Sequence, residues 1–246
     1  MKRSMHFAAR PLLLAIALGT WLSPAVALPE RPLDSTTGLL QRLHDNTAGA
    51  LLNRQLADQS YRAIQATGRA PLFIDGAGSD PEIRARSFLS LYGALFGVSD
   101  AIQELVTARI SRDAAGNTHV HMNQQHGGLP VFGARLVVHM NDDGIIGTSG
   151  VFADGLAELP TRAKLGTAAL RERALVAAHK LHPQVSNLEI GATRLMIYRS
   201  GLLKGIAGSN HLAYEAMVGN GSDIRERIIL DANSGAVLNR INEIHG

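Results

Sequence analysis

Cysteine is absent from all 246 residues, which excludes disulfides, thiolate nucleophiles and thiolate metal sites. Aromatic residues make up only 4% of the chain, and its one tryptophan, Trp21, lies in an N-terminal apolar stretch. The core must therefore be built mainly from Leu, Ile, Val and Ala, and there is no aromatic platform on which a sugar or base could stack. No His-Glu-x-x-His run is present, so two imidazoles one helical turn apart cannot grip a zinc ion beside a glutamate base. Gly-x-Ser-x-Gly elbows and phosphate-binding loops are also missing. A catalytic constellation, a cofactor site and a metal site are all unexpected.

Residues 1–27 read as a secretory signal. Lys2, Arg3 and Arg10 form a basic start, Pro11 to Leu22 is apolar, and Ala25-Val26-Ala27 supplies the small-x-small pattern, with cleavage after Ala27. The apolar stretch is shorter than the roughly 20 residues a bilayer span needs. The expected location is secreted or periplasmic, with no membrane attachment once the signal is removed. Its removal also changes the charge. The chain holds 24 basic and 21 acidic residues, and the signal contains three of the bases and none of the acids. The remaining 21 against 21 is neutral, without the basic excess that nucleic-acid binding requires.

Hydrophobic content of 46% with 18% charged residues predicts a folded chain. Residues 28–75 form a leader segment, partly helical, in which Leu39, Leu43, Leu51, Leu52 and Leu56 suggest short helices. Pro71 to Ile74 reads as a brief strand. Asp80-Pro81-Glu82 starts a helix, with Asp80 as cap and Pro81 in the first turn. Its inward stripe is Ile83, Phe88, Leu91, Leu95 and Phe96, and Gly97 ends it. Alternation then predicts strands over 103–111, 118–126, 134–140 and 145–152, with Gly127 to Gly133 as a connection. A second unit repeats this plan. After a linker at 154–166, Thr167 caps a helix carrying Leu170, Ala174, Leu175, Ala178 and Leu181, and Pro183 stops it. Strands follow at 192–199, 211–218, 225–230 and 236–242, and the loop 200–210 is expected to be exposed. The predicted class is α+β: two small domains, 76–153 and 167–244, each a helix packed on an antiparallel sheet.

The run from Asn117 to Gly144, with Gly128, Pro130, Val131 and Gly133 at its centre, resembles the fungalysin/thermolysin propeptide (FTP) segment of thermolysin-like zinc metallopeptidase precursors. Arg194 to Gly201, His211-Leu-Ala-Tyr-Glu215 and Ile228 to Arg240 are similar to the PepSY domain that follows FTP in those precursors. Tyr214, Asp231, Gly235 and Val237 are its best-marked positions. Two departures are His126, where family members commonly carry an aromatic, and His121, where they carry Arg. The resemblance implies a protein that helps a thermolysin-like peptidase domain fold and inhibits it, in cis or in trans. The peptidase domain itself is not in this chain, which reads as a fragment or a stand-alone protein. The tail Val237 to Gly246 resembles the passage from PepSY into the peptidase and places His245 as a possible contact in the enzyme's cleft. An extracellular binding module without a peptidase partner is the competing reading.

Two histidine groupings invite a metal reading. His119 and His121 point to one face of a strand, with His126 or His139 as a possible third ligand. A wetted outer face is the simpler expectation, because antiparallel sheets commonly expose one side. His179 and His182 are spaced three apart with no glutamate between them and suit a helix C-terminus. Asp142-Asp143 and Asp223/Glu226 are expected to be solvated charges in turns or at strand edges.

Overall fold

The computed structural model describes residues 36–47, 52–57, 60–66, 71–72 and 78–244. Ala27, His245 and the Phe73–Ile74 part of the predicted strand lie outside the described residues. The class is α+β, as expected. Helix α1 (Thr36–Asp45) precedes a hairpin, β1 (Leu52–Ala57) and β2 (Ser60–Ala66). Next come α2 (Pro81–Tyr92), a 3-10 turn at Gly93–Phe96 and the short α3 (Ala101–Glu104). Strands β3 (Leu105–Arg112), β4 (Thr118–His126), β5 (Leu129–Met140) and β6 (Ile145–Val151) complete the first half. The second half is α4 (Thr167–Leu181), β7 (Glu189–Arg199), β8 (Asn210–Gly219), β9 (Arg225–Asp231) and β10 (Val237–Asn242).

Local chemistry explains several of these boundaries. The Asp80 carboxylate accepts from the Glu82 and Ile83 amides at 2.8 and 3.2 Å, satisfying donors that the first turn of α2 leaves free. Gly97 ends the following turn at φ 87°, a left-handed value costly for other residues. Two expectations for the helices are corrected. Ile83 and Leu91 are 53% and 51% exposed, and the buried stripe of α2 is Ala85, Phe88, Leu89 and Tyr92. The cap of α4 is Gly166 with no side-chain hydrogen bond, Thr167 being its first residue, and Leu181 is exposed.

The leader is corrected too. The segment around Leu52 and Leu56 is strand, because β2 pairs with β6 through Ala63↔Ser149 to Gln65↔Gly147 and β1 then pairs with β2. An unpaired β6 edge would leave a row of amides and carbonyls seeking partners, which outweighs a weak helical preference.

Among the described residues, the unit Asp34–Gly246 has two large hydrophobic cores and one smaller cluster. In the first, Leu39, Leu43, Phe88 and Tyr92 from the helices meet Val120, Met122, Leu136, Val138 and Met140 from the sheet. In the second, Leu170, Ala174 and Ala178 of α4 cover Ile197, Leu212, Tyr214, Ile228 and Leu230. Leu156, predicted to be in a linker, is buried in this second core. The strand order β1-β2-β6-β5-β7-β8-β9-β10, with β4 and β3 beyond β5, makes β5 the strand common to both halves.

Candidate functional site

The connection predicted between Gly127 and Gly133 is mostly strand. Only Gly127 and Gly128 turn the chain, at φ 54° and 78°, the two positive values that suit a tight hairpin. Leu129 and Pro130 pair at once with His126 and Gln125. The next pairing is Asn123↔Arg135, so residues 131–134 stand opposite Gln124 alone and swing out of the ladder. Within that excursion Val131 pairs in parallel with Ile197 of β7, the register that joins β5 to the second half.

Gln124, 2% exposed, stabilises the detour. Its side-chain amide donates to the Ala153 carbonyl at 2.7 Å and accepts from the Ala153 amide at 2.8 Å, replacing a backbone partner. Gly133, at φ 73°, sits where a Cβ would come 2.8 Å from the Leu203 side chain. Arg62 of β2 donates to the Leu203 carbonyl at 3.2 Å. The motif residues Val131 and Gly133 thus act as a clasp between the halves, Gly128 faces open space in the turn, and none of the three offers a reactive group. Gly133→Ala is expected to cost about 1–2 kcal/mol, since Leu203 can yield but the left-handed backbone cannot. Urea denaturation would measure it, and an unchanged midpoint would contradict the clasp.

The C-terminal motif residues are also structural. Tyr214 is 4% exposed in the second core, and its hydroxyl is buried without a partner. Asp231 caps the turn into β10 by accepting from the Asn233 and Ser234 amides at 3.0 and 2.8 Å, and it faces His211 Nδ1 at 2.9 Å. Burial works to raise the Asp231 pKa, but the hydrogen bonds from His211, Ser234 and Asn233 outweigh it and hold the carboxyl below its usual value. Gly235 packs under Arg173, and Val237 is 38% exposed.

The sequence reading missed the helix-free face of the second sheet. Met196, Ala213 and Ile229 are fully buried there, with Phe132, Leu238 and Ile241 packed against them. Phe132 comes from the β5 excursion, 6.0 Å from the Tyr198 ring, and the Arg227 guanidinium lies 5.7 Å over it. Beside this cluster Glu215, 5% exposed, binds Arg194 and accepts from Arg227 at 2.6 Å, and Arg227 reaches Glu243 at 2.7 Å. A cavity of about 320 Å³ opens between Phe132, Tyr198, Leu202, Leu203, Ile206 and Ile241. The available signal was the consecutive apolar runs Leu195 to Tyr198, Leu212 to Tyr214 and Ile228 to Leu230, unlike a strand that wets one side throughout.

Among the described residues no three His, Cys, Asp or Glu side chains are placed to hold a metal ion. His126 turns away to the Leu159 carbonyl at 3.1 Å. His182 meets Glu226 at 3.0 Å, and Glu226 is 7% exposed, not the solvated charge expected. His119 and His139 contact each other at 2.8 Å.

Comparison with known proteins places the clasp. The family model for the fungalysin/thermolysin propeptide motif matches residues 103–147, which span β3, β4, β5 and the start of β6. The thermostable neutral protease NprT of Geobacillus stearothermophilus is 31% identical over 141 residues, 54% of this chain and 24% of that protein. Thermolysin of Alicyclobacillus acidocaldarius subsp. acidocaldarius is 28% identical over 190 residues, 72% of this chain and 33% of that protein. The chain therefore spans about a quarter to a third of the length of these relatives. Among solved structures, the Bacillus megaterium YpeB C-terminal domain aligns over 87% of this chain and 98% of that one, at 13% identity and a TM-score of 0.34, too slight a likeness to bear on fold or function. With the family model on β3 to β6 and the relatives extending the match beyond it, this chain carries the propeptide motif of the thermolysin-like proteases.

Proposed function

We propose that the protein is a non-catalytic propeptide-type chain that assists the folding of a thermolysin-like metallopeptidase domain and inhibits it, in cis within a longer precursor or in trans. The observation that supports this most directly is the position of the propeptide motif. It forms the clasp that fixes two sheets in one arrangement, and the excursion also delivers Phe132 to the helix-free face. A rigid surface of this kind can act by shape alone. Folding of a large domain rich in non-local contacts is slowed by loop-closure entropy, and a preformed surface that binds the late transition state lowers that barrier. Complementarity to the native domain then blocks it as well.

On this reading the second half is PepSY-like, with 154–166 joining it to the motif-bearing half. Residues 1–27 would direct export to a secreted or periplasmic location. No helix among the described residues is long and apolar enough to cross a membrane. The tail would run to the cleft of the bound enzyme, with His245 in contact there.

The test is to dilute a denatured thermolysin-like peptidase domain into buffer with and without the purified protein, and to titrate the native enzyme with it. Recovered activity should rise to a plateau at one equivalent. Inhibition should have a constant at or below about 1 μM, roughly 8 kcal/mol of binding. Removing residues 241–246 should weaken it. Neither effect at about 100 μM protein would leave the extracellular binding-module reading in its place.

A further inference from the structure

The outer face of the first sheet carries a hydrogen-bonded row across three strands and a turn. Ser149 Oγ on β6 lies 2.9 Å from His139 Nε2 on β5. His139 Nδ1 lies 2.8 Å from His119 Nδ1 on β4, and His119 Nε2 lies 3.1 Å from Asp113 Oδ2 in the β3–β4 turn. Chemistry orders this row. The Asp113 carboxylate can only accept, so His119 carries its hydrogen on Nε2 and leaves Nδ1 bare. His139 then donates from Nδ1 and accepts the Ser149 hydroxyl on Nε2. With both rings neutral, this is the arrangement that satisfies every bond.

One added proton can still be held, with His119 donating from Nδ1 to His139 Nδ1 and His139 from Nε2 to the Ser149 oxygen. It nevertheless places a cation in a partly buried slot whose neighbours are mostly positive. Arg109 of β3 and His121 of β4 face the same side, as does Arg135 of β5, while Asp113 is the acid at the end of the row. From β6 and β2 the facing groups are Ser149, Ala63 and Gln65, which are uncharged, and Arg62, which binds the Leu203 carbonyl. A second proton sets two N–H groups against each other across the His119–His139 contact. His121 adds to the strain of acidification: its Nε2 meets Ser111 Oγ at 3.1 Å, but its Nδ1 is buried without a partner.

We propose that the Asp113–His119–His139–Ser149 row is an acid-sensitive latch that holds β3 to β6 closed while its imidazoles are neutral and loosens them when they are protonated. The electrostatics agree with the geometry. Burial, then His119 and His121, lower the His139 pKa from 6.5 to about 4, and Asp113 offsets this only in part. Burial and then Arg109, Arg135 and His119 lower that of His121. A folded-state pKa below the ordinary value means the open chain binds the proton more tightly. The stabilisation is therefore complete above about pH 6.5 and is lost as the pH falls towards 4. For His139 alone, a fall from pH 7 to 5 raises the opening equilibrium about 20-fold. The latch does not depend on any partner, so its test is independent of the proposed function.

Hydrogen exchange of the whole chain at pH 7 and 5, corrected for intrinsic rates, reads this out segment by segment. In the wild type, β3 to β6 amides should open about 20-fold more at pH 5 while β8 and β9 amides hold. In His139→Asn, whose amide can still donate to His119 but cannot titrate, the ratio should fall below about threefold. Equal pH responses in both proteins, or one shared by β8 and β9, would overturn the latch. Should the variant not fold, imidazole titration of the wild type by NMR decides it: a His139 ring titrating near 4 supports the proposal, and one near 6.5 sinks it.

Discussion

Gly150→Ala is expected to destabilise the protein by about 3 kcal/mol or more, a large fraction of the roughly 5–15 kcal/mol that holds a domain folded. Gly150 has a φ of 145°, and a Cβ there would lie 2.0 Å from the Arg135 carbonyl oxygen and 2.9 Å from the Leu136 Cα. The obstruction is backbone, so no rotamer change relieves it. Strand β5 cannot retreat either, because Arg135 to Met140 are paired on their other side with β4. Strain at such a φ and overpacking each cost about 1–3 kcal/mol, and here both apply. Urea denaturation should show the midpoint falling steeply. A loss under about 1 kcal/mol would mean that β5 and β6 do not approach as described.

Ile197→Ala should be the next most damaging change, at roughly 2–5 kcal/mol. Ile197 is fully buried in the second core, in register with Val131, where the two halves meet. Truncation removes apolar surface and leaves a cavity walled by β5 and β8, which their other pairings keep from collapsing. Thermal unfolding followed by far-UV circular dichroism would show it as a drop in Tm. The same protein tests the clasp: fixed geometry between the halves is what the proposed inhibitory surface relies on, so inhibition of a thermolysin-like enzyme should weaken although Phe132 and Tyr198 are untouched. A stable variant with full inhibitory strength would separate the junction from the function.

Much of the fold was legible because its signals are local. Asp80-Pro81 caps a helix through its own side chain and ring. Thr118 to His126 alternates cleanly enough to be read as a strand to the residue. The run from Gly128 to Gly133 lies within the residues that match the propeptide motif, although its conformation is mostly strand where a connection was expected. Two adjacent glycines suffice for the turn, and the following Leu129-Pro130-Val131 is free to extend. Other features were not legible for reasons of distance. Leu52 and Leu56 are spaced four apart, as on a helix, and only β6, some 90 residues on, makes the segment strand. Ile83 and Leu91 are as apolar as Leu89, and nothing nearby in sequence says which of them meets the sheet. The latch requires Ser149, His139, His119 and Asp113 to be neighbours, and their spacing in the chain carries no trace of that.

From the sequence alone came the α+β class, the two-fold repetition of helix and strands, the absence of thiol chemistry and the propeptide motif. All of these rest on contacts spanning a few residues, where periodicity, capping and turn chemistry act without help. The tertiary structure alone decided that β5 leaves one ladder to enter another, that the second sheet buries apolar side chains on its helix-free face, and that three strands line up their polar groups into one row. Each depends on register between distant strands, and a register is chosen by how whole faces pack, not by any single segment's preference.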